Sequence, residues 1–490
     1  MFSVDVPRGP DGQPLLTPDV WQDTPAVAQA VIVALVPLLA LVPEVAALRE
    51  EVRDLRARLG QHSGNSSRPP SSDPPQAPRR SPAPASGRAR GGQPGHVAHQ
   101  RMLLPPERVD SIVDHRPQTC ARCTAPLPTM ASSDGYVAHQ VTELPPIRAV
   151  VTEHRLHLVA CPTCGAATRA TLPAVVPAGA FGPRLQATVA VLCGQYHLSQ
   201  RAVADACGTL LDAPLAASSV AALCRDTAEA LAGPVAVVRA TLPTARVVNA
   251  DETRWPHAGR TAWLWVVASQ LATVFTIATS RGSQVIKDLL GEAYTGVVGS
   301  DRYSGYAWLD ETCRQICWAH LKRDFAGLVD RGGTAKEVGV AALALVHDLF
   351  TVWHQFRGGQ VDRAGLIKQM QPVQEAFDAL LDTGIAGPDG RVATLCRALD
   401  RLWPALWTFV DADGVEPTNN AAERAIRPAV LWRKGSYGTQ SDGGARFVER
   451  LLTVTATCRQ QGRSVLDYLT AVCTATQLGQ PVPALLHAPA

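Results

Sequence analysis

The spacing of apolar and polar residues changes along the chain, and each change predicts a different kind of element. Residues 182–240 and 326–410 are rich in Ala, Leu and Val at helical spacing, and further helices are predicted after Ala421, at FVERLLTVTATCRQQG and at SVLDYLTAV. From Arg246 the period shortens to the alternation of β-strands. These patterns predict a protein that is helical on both sides of a strand-rich segment.

The strand-rich segment predicts an α/β sheet. Four stretches have strand character, RVVNADETRW, TAWLWVVAS, ATVFTIAT and GVVGSDRY, and a helix, SQVIKDLLG, stands between the last two. A fifth strand runs into a helix in RQICWAHLKRDF. Three consecutive strands followed by a helix and a parallel strand are typical of α/β sheets.

Near the N-terminus, residues 24–43 are uncharged and reach the length of about 20 residues that a membrane span needs. Pro37 and Pro43 interrupt this stretch, and the segment before it is acidic, unlike the basic start of a signal peptide. We therefore predict an oligomerising or core helix here and no membrane segment.

The apolar pattern continues into a charged amphipathic helix. There, Leu48, Val52, Leu55 and Leu59 follow one another at steps of four, three and four residues. This spacing is that of a short coiled-coil seam, so we predict a homo-oligomer paired through this helix.

Residues 61–95 differ from the rest in composition, because 20 of the 35 are Pro, Gly or Ser, with five Arg and one Asp. Such a segment cannot bury a core and predicts a basic, flexible linker. It is either a solvated spacer or a tether whose arginines add non-specific phosphate contacts.

Composition limits the class of protein further. The 490 residues are enough for about three domains, and 46% apolar with 18% charged residues exclude wholesale disorder. The formal charge of +3 is close to neutral, so a nucleic acid would have to be bound by local basic surface. The 12 cysteines are too dilute for a disulfide scaffold and indicate metal binding in a reducing compartment.

Two cysteine pairs have the spacing of zinc knuckles. Cys120 and Cys123 form the first pair, and Cys161 and Cys164 follow after 37 residues. A two-residue gap lets both thiolates of a pair face one ion at about 2.3 Å. We therefore predict one structural Zn²⁺ held by these four cysteines, the alternative being four unrelated buried thiols.

The stretches between the two pairs, VAHQVTELP and AVVTEHRLHLVA, alternate as short strands, which predicts a zinc ribbon-like module. His154 and His157 lie close to the second pair. Four thiolates already complete a tetrahedral shell, so we assign both histidines to the strands.

The helical region before the sheet contains a possible helix-turn-helix. Its two helices would start near Ser199 and Ser218, both of which are suitable N-caps. Any helical hairpin could show the same pattern, so DNA binding and simple packing both stay open.

Three acidic residues are candidates for a catalytic metal centre. Asp251 is predicted to end the first strand and Asp301 the fourth, so the two carboxylates converge at one sheet edge if these strands are neighbours. Paired carboxylates repel each other unless a cation neutralises them, and oxygen ligands suit Mg²⁺. A third acid, Glu423, would complete a site for two ions ~4 Å apart, which is suited to phosphoryl displacement.

Each acid also has a structural alternative. Asp251 with Glu252 could form a strand-end turn, and Asp301 could cap a helix or loop. Asn420 could cap the helix that follows, with Glu423 at the third position of a capping box.

Other residues with metal or nucleic-acid chemistry are assigned more cautiously. Cys317 and His320 form a CxxH that could share a metal, but with no second pair in sequence we favour packing around the fifth strand. The tryptophans near the first acid are assigned to the sheet core rather than to base stacking; they are Trp255, Trp263 and Trp265.

Basic residues cluster after the third acid. Residues 417–466 contain eight Lys or Arg against three acidic residues. Residues 433–438 are predicted to form a loop that lays cations and backbone amides against phosphates. The alternative is a solvated helix face. The predicted DNA-binding residues are Arg424, Arg427, Arg433 and Lys434.

Several short motifs, taken together, resemble the insertion-sequence-66 family of bacterial transposases from about residue 45 to the C-terminus. In chain order they are NSSRPPSSD (65–73), GGQPGH (91–96), the two CxxC pairs, DET (251–253), DRYSGY (301–306), CWAH (317–320) and NNAAERAIRP (419–428). Each motif is weak alone, but their combination and order are specific. The apolar start before residue 45 is not part of this resemblance.

The resemblance implies a DDE transposase with a ribonuclease H-like core, in which Asp251, Asp301 and Glu423 are the catalytic triad and bind two Mg²⁺ ions. The spacings of 50 and 122 residues between these acids leave room for a helical insertion before the glutamate. The implied partners are terminal inverted repeats, target DNA and helper proteins encoded by the same element. A cytoplasmic, nucleoid-associated bacterial protein is expected.

We therefore expect a multidomain α/β protein whose ribonuclease H-like core is interrupted by an all-helical insertion. The predicted divisions are an N-terminal helical and coiled-coil region (1–60), a linker (61–100), a zinc module (101–175), a helical DNA-binding region (176–245), the first part of the core (246–325), the insertion (326–415), the second part of the core (416–445) and C-terminal helices (446–490). Two alternative functions remain, a nuclease that does not join DNA and an inactive DNA-binding descendant of a transposase.

Overall fold

The computed structural model describes residues 6–8, 12–65, 73, 102–128, 133 and 135–486. Most of the predicted linker, including residues 91–96, lies outside them. With the undescribed residues left aside, the chain divides into two compact units. One comprises Met1–Ala77, His154–Asp205 and Leu215–Ala490, and the other comprises Pro78–Glu153 and Ala206–Pro214.

The described helices fall before, between and after the strands. They are α1 Pro18–Asp23, α2 Ala26–Leu59, α3 Pro183–Gly194, α4 Gln200–Leu211, α5 Ala217–Ala230, α6 Ala232–Ala240, α7 Ser283–Leu290, α8 Trp318–Arg331, α9 Thr334–Arg357, α10 Arg363–Ala386, α11 Gly390–Arg401, α12 Trp403–Asp411, α13 Asn420–Ser436, α14 Asp442–Gln460 and α15 Val465–Gln477.

The strands form a two-stranded and a five-stranded sheet. They are β1 Leu158–Ala160, β2 Ala167–Arg169, β3 Val247–Arg254, β4 Trp263–Ser269, β5 Thr273–Ala278, β6 Val297–Ser300 and β7 Arg314–Ile316. In the larger sheet the order is β5-β4-β3-β6-β7. The first three strands are antiparallel, and β6 and β7 run parallel to β3, so the sheet is mixed. All five strands were predicted from the sequence.

Helices α13 and α14 cover one side of β3, β4 and β5. Their apolar side chains join those of the sheet in one cluster, in which Trp255 and Leu264 are fully buried. Trp265 is also fully buried, as predicted, whereas Trp263 is only half-buried and lies under the guanidinium of Arg281 at 4.7 Å. The packing therefore fixes α13, the helix that carries Glu423, against the central strands.

The helices α8 to α12 lie between β7 and α13 and have a core of their own. Trp318, Phe377 and Trp407 meet at its centre, with ring centroids 5.0 to 6.1 Å apart. The backbone N–H of Trp318, at the start of this insertion, donates to the carbonyl of Pro417, at its end, at 2.9 Å. The chain therefore leaves the sheet and returns to it at one point.

The N-terminal helix α2 runs without a break across Pro37 and Pro43, which were expected to interrupt it. Its last turns lie against α8, where the guanidinium of Arg331 bonds the carboxylates of Glu50 and Asp54. Among the helices that the structure describes, none is both long enough and apolar enough to cross a membrane.

The zinc region contains fewer strands than expected. VAHQVTELP, all of it described, forms no strand, and His154 and His157 lie outside β1. What forms is the short antiparallel pair β1–β2 on either side of the second knuckle. The alternation in VAHQVTELP was a misleading signal, because a strand needs a partner for its backbone groups as well as alternating side chains.

Candidate active site

The sheet brings two of the predicted acids to the same edge. Strands β3 and β6 are parallel neighbours, with Asn249 opposite Gly299. Asp251 and Asp301 lie two residues further along, Asp301 directly after the end of β6. The prediction that Asp251 ends its strand is wrong, because antiparallel pairing with β4 extends β3 to Arg254.

The carboxyl group of Asp251 lies in an electrostatically unfavourable place. Burial raises its pKa well above the ordinary value, and the negative charges of Glu252, Asp301 and Glu423 raise it further. The backbone N–H of Glu252 donates to Asp251 at 2.8 Å, and that of Tyr303 donates to Asp301 at 2.9 Å. Without a proton or a cation, the carboxylates here repel one another.

Helix α13 places Glu423 near this edge by a route that the sequence did not reveal. The N-cap is Asn419 rather than Asn420, and its side-chain amide donates to the carbonyl of Ala250 at 2.8 Å instead of capping the helix. Glu423 is at the fourth helical position, and its N–H donates to the carbonyl of Asn419 at 3.1 Å. The capping-box alternative is therefore wrong, and Asn419 ties α13 to the strand residue before Asp251.

The carboxylate of Glu423 faces α8. Its Oε1 atom lies 3.4 Å from Nδ1 of His320 and 3.8 Å from Nη2 of Arg323, and it is buried without a hydrogen-bond partner. Across the described part of the chain, the only group of three possible metal-ligating residues whose donors lie within 4.8 Å of one another is Cys317, His320 and Glu423. The three predicted acids are not drawn together to that distance.

A second group of side chains supports the first acid from behind. The carboxylate of Glu252, only 2% exposed, accepts hydrogen bonds from Arg281 Nε and Nη2 at 2.9 and 2.7 Å and from the Tyr306 hydroxyl at 2.9 Å. The guanidinium of Arg281 also lies 3.8 Å from the centre of the Tyr303 ring. Glu252 is thus part of a packed polar network and not of a strand-end turn.

Three of the four predicted DNA-binding residues are accessible. Arg424 and Arg427 are exposed on α13, close to Glu423 in sequence, and Lys434 is exposed in the last turn of the same helix. These cations can reach a phosphate backbone that passes along α13.

Arg433 is differently placed. Its guanidinium donates to the Thr253 hydroxyl at 2.9 Å and bonds the carbonyl of Arg254, so it fastens α13 to β3. Burial lowers the pKa of Arg433, as does the positive charge of Arg254. The predicted loop at residues 433–438 is wrong in its first half, because the helix continues to Ser436.

Each cysteine pair forms a tight knuckle, described here by itself. The thiol of Cys120 has its pKa lowered by N–H donors from Cys123 and Arg122. At the second knuckle, N–H donors from Cys164 and Thr163 lower the pKa of Cys161 to about 7. Backbone donors that favour a thiolate prepare both knuckles for a cation.

In the helical region before the sheet, one of the two predicted caps is present. Ser199 Oγ accepts a hydrogen bond from the N–H of Ala202 at 3.2 Å, at the start of α4. Ser218 lies inside α5, whose N-cap is Ala216, so the second cap was wrongly assigned.

Comparisons with known families cover most of the chain. Residues 178–447 match the family described as Transposase IS66 family, and residues 117–165, with all four knuckle cysteines, match the zinc-finger binding domain of transposase IS66. Residues 17–102 match a family of unknown function, DUF6444, which takes in the apolar start outside the sequence resemblance.

Two relatives come from Sinorhizobium fredii, and both are named as uncharacterized proteins. y4qI is 29% identical over 266 residues, which are 48% of this chain and 48% of the relative. y4hP is 24% identical over 405 residues, 75% of this chain and 70% of the relative. The chain thus spans about half the length of the first relative and more of the second.

Proposed function

The chain belongs to the IS66 family of transposases, and from this premise we propose that it is a DDE transposase that uses Asp251, Asp301 and Glu423. It would bind the terminal inverted repeats of an insertion sequence, cleave DNA at the element ends and join the freed 3′ hydroxyls to target DNA. The observation that carries the proposal is electrostatic. Burial and the charges of the two other acids together raise the pKa of Asp251, as expected for a site that awaits cations.

The sheet supports a ribonuclease H-like core. Three antiparallel strands, β5, β4 and β3, are followed by the parallel strands β6 and β7. The first acid lies on the central strand β3, the second follows its parallel neighbour, and the third lies on a helix packed against the same sheet.

Two Mg²⁺ ions fit the donor set, because all three side chains offer hard oxygen atoms and Glu423 Oε1 has no hydrogen-bond partner. When bound, such ions activate the attacking oxygen and neutralise charge on the phosphoryl group. The chain's own contribution is to hold the acids. Asn419 fixes the start of α13, the Tyr303 N–H orients Asp301, and the Glu252 N–H orients Asp251.

DNA would lie along α13, with Arg424, Arg427 and Lys434 on its phosphates. We assign the terminal repeats to the zinc module and to the helices between residues 176 and 245. The module would bind one structural Zn²⁺, in agreement with its family match. Arg433 has an internal role and is no longer assigned to DNA.

Assembly with other molecules completes the proposal. The helix α2 would pair protomers so that two DNA ends meet, and helper proteins of the same element would assist. The reaction would take place on the nucleoid in the bacterial cytoplasm.

The substitution Glu423→Gln tests the proposal. Glutamine preserves the size of the side chain but is a far poorer Mg²⁺ ligand. We expect strand transfer of pre-cut repeat ends to fall at least ~100-fold, while binding to the repeats persists. The matched control is Glu292→Gln, an exposed carboxylate whose loss should leave the rate unchanged.

The assay also separates the alternatives. A protein that cleaves but yields no joined product is a nuclease, and one that only binds is an inactive descendant. A Glu423→Gln protein that folds, binds and joins at the parent rate would contradict the triad.

A further inference from the structure

A cluster of softer ligands lies beside the proposed acids. Cys317 immediately precedes α8, His320 is in its first turn, and Glu423 is in the first turn of α13. Their donor atoms lie within 4.8 Å of one another. The two helices start side by side because Asn419 N–H donates to Cys317 Sγ at 3.2 Å.

The sulfur of Cys317 is surrounded like those of the zinc knuckles. It accepts backbone N–H donors from Ala319 and His320, two and three residues further on, in addition to Asn419. Cys120 and Cys161 accept donors from the residues at the same two positions of their own knuckles. N–H groups directed at sulfur favour a thiolate, the form that binds metals. Burial opposes this and raises the pKa of Cys317 to about 11, so a bound cation would supply the missing compensation.

Two further atoms lack the partners that buried polar groups normally have. His320 Nδ1 and Glu423 Oε1 are both buried, face each other at 3.4 Å and form no hydrogen bond. Two ligands bonded to one Zn²⁺ at about 2.0 Å in tetrahedral geometry are about 3.3 Å apart. The separation is therefore that of two ligands of one ion.

We propose that Cys317, His320 and Glu423 bind one divalent transition-metal ion, with Zn²⁺ as the occupant, and leave a fourth position open to solvent. Thiolate and imidazole ligands select zinc over magnesium, which prefers oxygen. Three protein ligands with one open position are the arrangement of non-structural zinc sites.

A regulatory consequence follows, and it rests on the proposed function. Glu423 is shared between the two sites, so a Zn²⁺ ion on Cys317 and His320 holds the carboxylate away from Asp251 and Asp301. Zinc bound here then inhibits Mg²⁺-dependent cleavage and joining.

Zinc binding by the full-length chain tests the site directly, without any activity. The parent protein, titrated with Zn²⁺ against a competing chelator, should bind one more ion than Cys317→Ser, or bind that ion at least ~100-fold more tightly. The matched control is Cys458→Ser, because Cys458 is also fully buried and burial also raises its pKa to about 11. An equal zinc content and affinity in parent and Cys317→Ser would overturn the proposal.

His320→Gln keeps the test decisive if Cys317→Ser fails to fold, since His320 lies at the rim of the cluster and is partly exposed. Circular dichroism identifies the folded variants. The same loss of one zinc ion is expected, and full retention would overturn the site.

Activity then tests the shared carboxylate. Added Zn²⁺ should reduce strand transfer in Mg²⁺ by at least ~10-fold in the parent, and the fractional loss should be smaller in His320→Gln, whatever its basal rate. If the parent joins no DNA in Mg²⁺, the proposed function fails while the zinc count still decides the site. If zinc binds but the fractional loss is equal in both, the shared role of Glu423 is wrong.

Discussion

At the scale of single residues, Glu252 shows how the sheet supports its acids. Its buried carboxylate accepts three hydrogen bonds, two from Arg281 and one from Tyr306. Hydrogen bonds to a charged group contribute more than neutral ones, and a buried partner left unpaired costs additional free energy.

We therefore expect Glu252→Gln to lower the free energy of unfolding by about 2 kcal/mol, with allowance for the partial exposure of Arg281. Tyr306→Phe removes one hydrogen bond and should cost about 1 kcal/mol. Urea denaturation followed by tryptophan fluorescence measures both. The control is Glu292→Gln, on an exposed carboxylate; equal stability of Glu252→Gln and this control would show that the network contributes nothing.

A second residue-scale prediction concerns His197. Its ring stacks on Trp432 with centroids 4.9 Å apart, and burial, followed by the charge of Arg459, lowers its pKa from 6.5. As the pH falls below 6.5, the unfolded chain binds a proton that the folded chain resists. The free energy of unfolding contributed by this site is therefore complete above pH 6.5 and declines at more acidic pH.

The substitution His197→Asn removes this titration and suits the backbone, because His197 has a φ of 59° and Asn tolerates the left-handed region. Thermal melts at pH 7.5 and 5.5 should show a smaller loss of stability on acidification than in the parent. An unchanged difference between the two pH values would mean that His197 titrates alike in both states.

At the scale of elements, the sequence predicted the five strands of the main sheet because apolar and β-branched residues alternate there over several positions. It failed where a tertiary contact decides the outcome. Gly435 near the end of α13 weakens helical propensity, yet the bonds of Arg433 to β3 hold that last turn in helical form. Neither contact has a local signal.

The helix α2 carries the predicted coiled-coil seam on accessible positions. Leu55 is 46% exposed and Leu59 is 80% exposed, so both are free to meet a partner helix. Leu48 and Val52 instead line a cavity of about 1000 Å³ between α2 and α8.

If the seam pairs two copies, Leu55→Asp with Leu59→Asp should lower the mass measured by light scattering. Charges buried between two helices are strongly destabilising for the pair. A matched control is Ile367→Asp, on an α10 residue that is 44% exposed. An unchanged mass in the double variant would show that another interface holds the oligomer, or that the protein is a monomer.

At the scale of the whole molecule, the motifs identified the family but could not give the arrangement of the site. Glu423 follows His320 by 103 residues, and no period links them, so the sequence showed CxxH without its third ligand. The parallel pairing of β3 with β6 could be anticipated from the helix between the strands, whereas the contact between α8 and α13 depends on the folded insertion.

The zinc module gives a prediction for the complete chain. Structural Zn²⁺ contributes folding free energy to small modules, so Cys161→Ser should remove one zinc ion and expose residues 102–175 to proteolysis. Elemental analysis and limited digestion measure both effects. Cys473→Ser, on a buried cysteine of α15, is the control. Retention of the full zinc content in Cys161→Ser would contradict the four-cysteine assignment.

The hydrogen bond between Trp318 and Pro417 has a consequence for the order of folding. Closing a disordered loop of about 100 residues costs roughly 4 kcal/mol of chain entropy by the logarithmic law. When α8 to α12 fold first on their own core, the two ends of that loop already touch, and the penalty has been met within the insertion. The insertion thus works as an internal chaperone: it nucleates early and delivers the start of α13, with its glutamate, to the sheet.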